Sequence, residues 1–184
     1  MLRKLIGKHG PCTLQSRSRP PFHTLVWAII NQQLSVKAAQ AIEQKLLARL
    51  GGDVFQPGQF YRVREKTLRD CGLSAAKVRY IRHLAGQVRN NSLSLDQLSV
   101  LDDEAVSVRL MALPGIGRWT ADMFLMFSLG RLDVLPIGDL ALRKSIRHHY
   151  ALGDDADLDD YLQVAENWRP YRTVASWYCW AAVD

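Results

Sequence analysis

Leu113-Pro114-Gly115-Ile116-Gly117-Arg118-Trp119-Thr120-Ala121 is the stretch on which the reading of this chain turns. It is a tight turn of apolar-Pro-Gly-apolar-Gly pattern set between two segments of helical periodicity. Before it, Asp102-Asp103-Glu104 loads negative charge onto the first turn of a helix running to Ala112, as the helix dipole favours. After it, an apolar helix is expected from Arg118 to Leu129, ended by Gly130. The two turn glycines permit positive φ and close approach of another molecule. The free N–H groups at the start of the second helix point outward, and with the dipole they form an anion site that needs no side chain. A phosphodiester backbone suits such a site, because it is anionic and is gripped without regard to base sequence. The plainer alternative, an ordinary αα-hairpin with a Gly-rich bend, fits a bare PGxG better than it fits this full pattern in a basic chain.

Working outward, helical periodicity continues through nearly the whole chain and no convincing period-two stretch appears. Pro20-Pro21 opens a helix through Ile30, and Ser35 caps an amphipathic run from Val36 to Leu50 that Gly51-Gly52 stops. A short helix is expected around Thr67–Cys71. Ser74 then caps one from Ala75 to Arg89, ended by Asn90-Asn91. Beyond the hairpin, a loop with Pro136 and Gly138 leads to Asp139 and a basic helix, Leu140 to Tyr150. The acidic stretch 154–160 reads as a loop and helix start, and two closing helices split at Pro170, the last from Tyr171 to Ala182.

The 184 residues carry a net charge of +6, unevenly spread. Residues 1–150 hold 22 Lys+Arg against 11 Asp+Glu, whereas residues 151–184 hold 2 against 7. A basic body with an acidic end suits a polyanion on one face. Most of the basic side chains still read as a solvated face. The N-terminus MLRKLIGKHG has charge but no apolar core or cleavage site for a secretory signal, and no apolar run reaches membrane-spanning length. A cytoplasmic protein without membrane contact is the expectation. Cys12, Cys71 and Cys179 are scattered and form no CxxC, so neither a zinc site nor an iron–sulfur cluster is expected. Cys71 and Cys179 read as core residues.

With LPGIGRWTADMF, then DVLPIGDLALRK, then the closing WRPYRTVASWYCW, the chain resembles the helix–hairpin–helix (HhH-GPD) DNA glycosylase superfamily, specifically its 3-methyladenine DNA glycosylase II branch. The resemblance covers roughly residues 20–184. It implies an all-α, two-lobed fold of about ten helices with a cleft between lobes. It implies one unit over residues 1–184, with the hairpin at about 103–129, in a minimal form without the extra α/β domain of some bacterial members. The partner it implies is double-stranded DNA containing alkylated bases. Nothing in the sequence demands more than a monomer.

Asp139, 22 residues after Gly117, reads on local sequence as a helix N-cap; the resemblance makes it the catalytic aspartate. The roles are compatible, since a helix start fixes a carboxylate's direction. Cleaving an N-glycosidic bond builds positive charge on deoxyribose, which a carboxylate stabilises. No partner carboxyl suggests itself as general acid, which fits a ring-alkylated base that is already cationic. Trp119 stands where lyase relatives resembling endonuclease III carry a Schiff-base lysine, so strand cleavage is not expected. An electron-rich aromatic face in the substrate pocket favours a cationic alkylpurine. Trp119 and Trp180 are the candidates for it, the resemblance placing Trp180 on the family's pocket tryptophan, with Phe22 as a further lining candidate and Met123 and Leu140 where relatives have tyrosines. Trp168 and Trp177 read as core. Gln33 or Leu34 would be the wedge filling the gap left by an extruded base. Gly115, Gly117, Arg118, Thr120, Arg143 and Lys144 would contact DNA. No cofactor is required, but the resemblance implies a structural Na+ or K+ on the main-chain carbonyls of Met111, Leu113 and Ile116. Two other readings stay open: a non-catalytic helix–hairpin–helix docking module, and a glycosylase for deaminated or mismatched bases.

Overall fold

The computed structural model describes residues 1–14 and 19–183, and among these are eleven α-helices, one 3-10 segment and no strand. The all-α expectation holds. In order the helices are α1 (Leu2–His9), α2 (Pro21–Asn31), α3 (Val36–Leu50), α4 (Pro57–Arg62), α5 (Glu65–Asp70) and α6 (Ala75–Arg89). The 3-10 segment (Asp96–Val100) precedes α7 (Asp103–Met111), α8 (Arg118–Phe127), α9 (Leu140–Tyr150), α10 (Leu158–Glu166) and α11 (Arg172–Ala181). Local chemistry sets most of these boundaries. The Ser35, Ser74 and Asp102 side chains accept from the N–H groups of Ala38, Lys77 and Ala105, so each helix starts where an oxygen side chain takes an orphan donor. Asp157 and Asp160 form a reciprocal capping box at α10. α8 ends two residues before the expected Leu129, because Gly130 at φ 66° turns the chain and the Arg131 N–H closes back onto the Leu125 carbonyl at 3.0 Å.

The chain divides into two compact units, Arg19–Phe124 and Met1–Ser18 with Leu125–Asp184. In the first, α2 is the central element: Leu25, Val26, Ala28, Ile29 and Ile30 have no exposed surface. Three of them are β-branched, poor helix formers in isolation, so burial at about 1.5–3 kcal/mol for each large side chain outweighs propensity. Phe55 and Phe60 pack edge to face at 5.5 Å beside it. α3 turns Ala39 and Leu46 inward together with Glu43, whose carboxylate accepts from His23 Nε2 at 2.8 Å. His23 Nδ1 accepts the Phe55 N–H at 3.1 Å, so the buried imidazole is satisfied on both nitrogens.

In the second unit, Leu142 and Ile146 from α9, Tyr161 and Ala165 from α10, Ala175 and Cys179 from α11, and Trp168 from the α10–α11 connection make one core. Trp168 donates to the Tyr150 hydroxyl at 2.9 Å, and α1 is tied in where the Tyr178 hydroxyl donates to the Gly10 carbonyl at 2.8 Å. Cys71 and Cys179 are buried as expected, and burial pushes the Cys179 thiol up to about 11.

Candidate functional site

Asp139 lies at the end of a loop that α11 holds in place. The Asp133 carboxylate takes a bidentate grip from Arg172, with Nε 2.7 Å from Oδ1 and Nη2 3.0 Å from Oδ2, and a further bond from Arg169 Nη1 at 2.9 Å. The Thr173 hydroxyl donates to the Arg131 carbonyl at 2.7 Å and accepts the Val134 N–H at 2.9 Å. WRPYRT in the closing segment is thus the clamp on residues 131–134. The Asp139 N–H donates to the Pro136 carbonyl at 2.8 Å, which brings the chain into α9.

Asp139 caps α9 as its local sequence predicts: Oδ1 accepts the Leu142 N–H at 2.8 Å. The same oxygen accepts the indole N–H of Trp180 at 3.0 Å. Two donors from two helices therefore fix the direction of a half-buried carboxylate. Trp180 stacks on Phe127, with ring centroids 6.2 Å apart and planes 22° apart. The sequence reading made Trp180 a pocket wall and missed its bond to Asp139, because 41 residues separate the two.

The hairpin is built mainly of main chain. Gly115 has φ +80°, and a Cβ there would sit 2.1 Å from the Tyr80 ring, so glycine is required twice over. The space over Gly115 is taken by Tyr80 of the same chain, where the sequence predicts the approach of another molecule. Gly117 differs: its φ is not positive, and a Cβ on it would meet nothing within 4 Å, so the open side of the turn is there. The Gly115 carbonyl accepts from Gln32 Nε2 at 2.8 Å, and the same amide lies 3.0 Å from Thr120 Oγ1. Thr120 is 1% exposed, so its hydroxyl is an internal brace, which leaves its main chain for the expected DNA contact. Arg118, another expected DNA contact, is paired within the hairpin. Its Nε bonds Asp122 at 3.1 Å and its Nη1 bonds Glu104 at 3.0 Å, leaving its charge opposed by two carboxylates. Burial pushes the Asp122 carboxyl up to about 6 against the opposing pull of Arg118.

The Leu113 carbonyl accepts the Ile116 N–H at 3.2 Å and keeps a second lone pair. Neutral main-chain oxygens such as those of Met111, Leu113 and Ile116 are the donor type a hard cation takes.

Between α2 and α3, Gln33 and Leu34 both project to solvent, with Gln33 at φ +60°. Among the other expected pocket residues, Phe22 is buried with its ring 5.9 Å from Phe60, Met123 is buried, and Leu140 is 66% exposed. Trp119 is half-buried on α8; on α9, Arg143 is half-buried and Lys144 exposed.

The model of the HhH-GPD superfamily of base excision DNA repair proteins matches residues 26–170. The alkylbase DNA glycosidase-like protein mag2 of Schizosaccharomyces pombe is 31% identical, over 96% of this chain and 84% of its own. The crystal structure of a DNA-3-methyladenine glycosidase from Bacillus halodurans superposes with a TM-score of 0.77 at 36% identity, covering 98% of this chain and 88% of that one. The 3-methyladenine DNA glycosylase Mag1 of S. pombe, solved in complex with abasic DNA, superposes with a TM-score of 0.87 at 32% identity, covering 97% and 87%.

Two outcomes follow for the hairpin. Gly115→Ala is expected to lose about 1–3 kcal/mol in urea unfolding, from backbone strain and the Tyr80 clash, while Gly117→Ala unfolds like wild type. Equal effects at the two glycines would refute this assignment. Asp122 holds its proton more tightly folded than unfolded, where a carboxyl titrates near ~4. Its contribution to stability therefore falls as pH rises from about 4 to about 6, by up to about 3 kcal/mol, and is flat above that. Melting temperatures of wild type and Asp122→Asn should accordingly diverge across this window, in favour of the variant as pH rises.

Proposed function

The chain belongs to the HhH-GPD superfamily of base excision DNA repair proteins, and from that premise we propose how its residues carry out the reaction. It is a DNA glycosylase of the 3-methyladenine type, acting on alkylated bases in DNA. The observation that carries the mechanism is the aimed Asp139 carboxylate, with Oδ1 held by the Leu142 and Trp180 N–H groups.

The lesion must leave the stack before any group can reach its sugar. Gln33 or Leu34, projecting beyond α2, fills the vacated space. As the bond from C1′ to the base nitrogen lengthens, positive charge grows on the deoxyribose, and the Asp139 carboxylate stabilises it and orients the incoming water. The electron pair of the breaking bond leaves with the base. A purine alkylated on a ring nitrogen is cationic beforehand, so it departs neutral and needs no acid. Water adds its oxygen to C1′ and passes its proton to the Asp139 carboxylate, giving an abasic site. An indole face, at Trp180 or at Trp119, favours such a cationic base by stacking and cation–π attraction. Trp119 has no amine to form an imine with the sugar, so the strand stays intact.

Phosphate binding at the hairpin falls to the N–H groups at the start of α8, on the open side of Gly117. Arg143 and Lys144, on α9, are separate candidates for phosphate contact. A monovalent cation on the Met111, Leu113 and Ile116 carbonyls would add positive charge beside that phosphate.

Incubation with methylated duplex DNA tests this. Wild type is expected to release 3-methyladenine or 7-methylguanine and to leave strands that break only after alkali. Asp139→Asn should release base at least about a hundredfold more slowly while retaining affinity for an abasic duplex. Strand scission without alkali would refute the monofunctional mechanism. Wild-type release by Asp139→Asn would remove the catalytic role.

A further inference from the structure

The segment that carries Gln33 and Leu34 is held from two directions within one unit. Lys77, on α6, reaches the end of α2 and donates from Nζ to the Ile30 and Gln32 carbonyls, each at 2.8 Å. Carbonyls at a helix C-terminus carry partial negative charge, and a half-buried ammonium is the strongest partner they can be given. Burial also lowers the Lys77 pKa, in keeping with an ammonium drawn away from water. The Gln32 side chain then runs the opposite way, its Nε2 donating to the Gly115 carbonyl at 2.8 Å and lying 3.0 Å from Thr120 Oγ1. Three residues after Lys77 on the same helix, Tyr80 is the ring packed against Gly115. α6 therefore supports the projecting loop through Lys77 and the hairpin through Tyr80, while Gln32 joins loop to hairpin directly. The chain leaves this anchored residue for Gln33, in a left-handed conformation, and Leu34, 40% exposed.

We propose that Lys77 and Gln32 are positioning residues that fix the Gln33–Leu34 projection in register with the hairpin, so that gripping the backbone and wedging the helix open occur as one act. The proposal rests on the glycosylase reading above. Neither residue is assigned a part in bond cleavage. A wedge needs a rigid backing: if its loop yields, the force that should unstack the base is spent on moving the loop. A lysine serving only helix stability would affect every substrate equally. A lysine that backs the wedge matters where a base must be forced out of a paired stack.

The test compares single-turnover release of 7-methylguanine from a fully paired duplex with release from the same strand carrying the lesion in an unpaired bulge. The proteins are the full chain and its Lys77→Met, Lys77→Arg and Gln32→Leu variants. Loss of a charged hydrogen-bonding partner should slow Lys77→Met about tenfold on the paired duplex and leave the bulge within about twofold. Gln32→Leu should show the same split in weaker form, and Lys77→Arg should recover most of the paired rate. A second readout needs no cleavage: 2-aminopurine opposite an abasic analogue should brighten with wild type and less so with Lys77→Met. Equal losses on both substrates, or none on either, would overturn the proposal and leave the glycosylase reading intact. A wild type that releases no base while still brightening 2-aminopurine, with Lys77→Met failing to do so, would remove that reading and keep the positioning role. Should Lys77→Met not fold, Gln32→Leu and Lys77→Arg carry the comparison.

Discussion

One oxygen, Asp139 Oδ1, accepts two N–H groups that have almost no freedom of their own. The Leu142 N–H belongs to the first turn of α9, and the Trp180 indole, on α11, is held against Phe127. The carboxylate therefore points where two helices make it point. α11 does more than supply the indole: its first turn, through Arg172 and Thr173, clamps the loop whose far end is Asp139. Both ends of that loop are thus set by a single helix. A negative charge that must act on a short-lived cationic sugar gains most from being aimed beforehand, because no reorganisation is then needed as the charge develops.

The hairpin follows a different logic. Its side chains are largely consumed within the protein: Thr120 by Gln32, Arg118 by Asp122 and Glu104, and the space at Gly115 by Tyr80. What it offers outward is main chain, at Gly117 and the start of α8. A grip made of peptide N–H groups is indifferent to base sequence, which suits an enzyme whose lesions arise anywhere. The net charge of +6 supplies long-range attraction without any single cation having to be aimed.

Much of this was legible in the sequence where local chemistry decides. Helix α3 from Ser35, α6 from Ser74 and α9 from Asp139 start and stop where their caps say, and the hairpin lies where its Pro-Gly pattern puts it. Helix α1 carries no such signal: MLRKLIGKH starts without a capping side chain, and Leu5 is its buried residue. Helix α4 is likewise unmarked, six residues long and capped by the pair Gln56 and Gln59 in place of the usual short oxygen side chains. What periodicity could not reveal were polar pairs joined across long stretches of chain: Trp180 to Asp139, Arg172 to Asp133, Gln32 to Gly115 and Lys77 to Ile30. Each couples a side chain to a backbone or carboxylate partner 39 to 83 positions away. Such pairs define the site, and nothing in a one-dimensional pattern marks them.

The most direct test of the aimed carboxylate is single-turnover release of 7-methylguanine by Trp180→Phe, which keeps an aromatic ring facing Phe127 and removes the indole N–H from Asp139. The predicted result is a rate about tenfold below wild type with unchanged affinity for an abasic duplex. A variant that releases base at the wild-type rate would contradict the claim that this hydrogen bond directs the catalytic carboxylate.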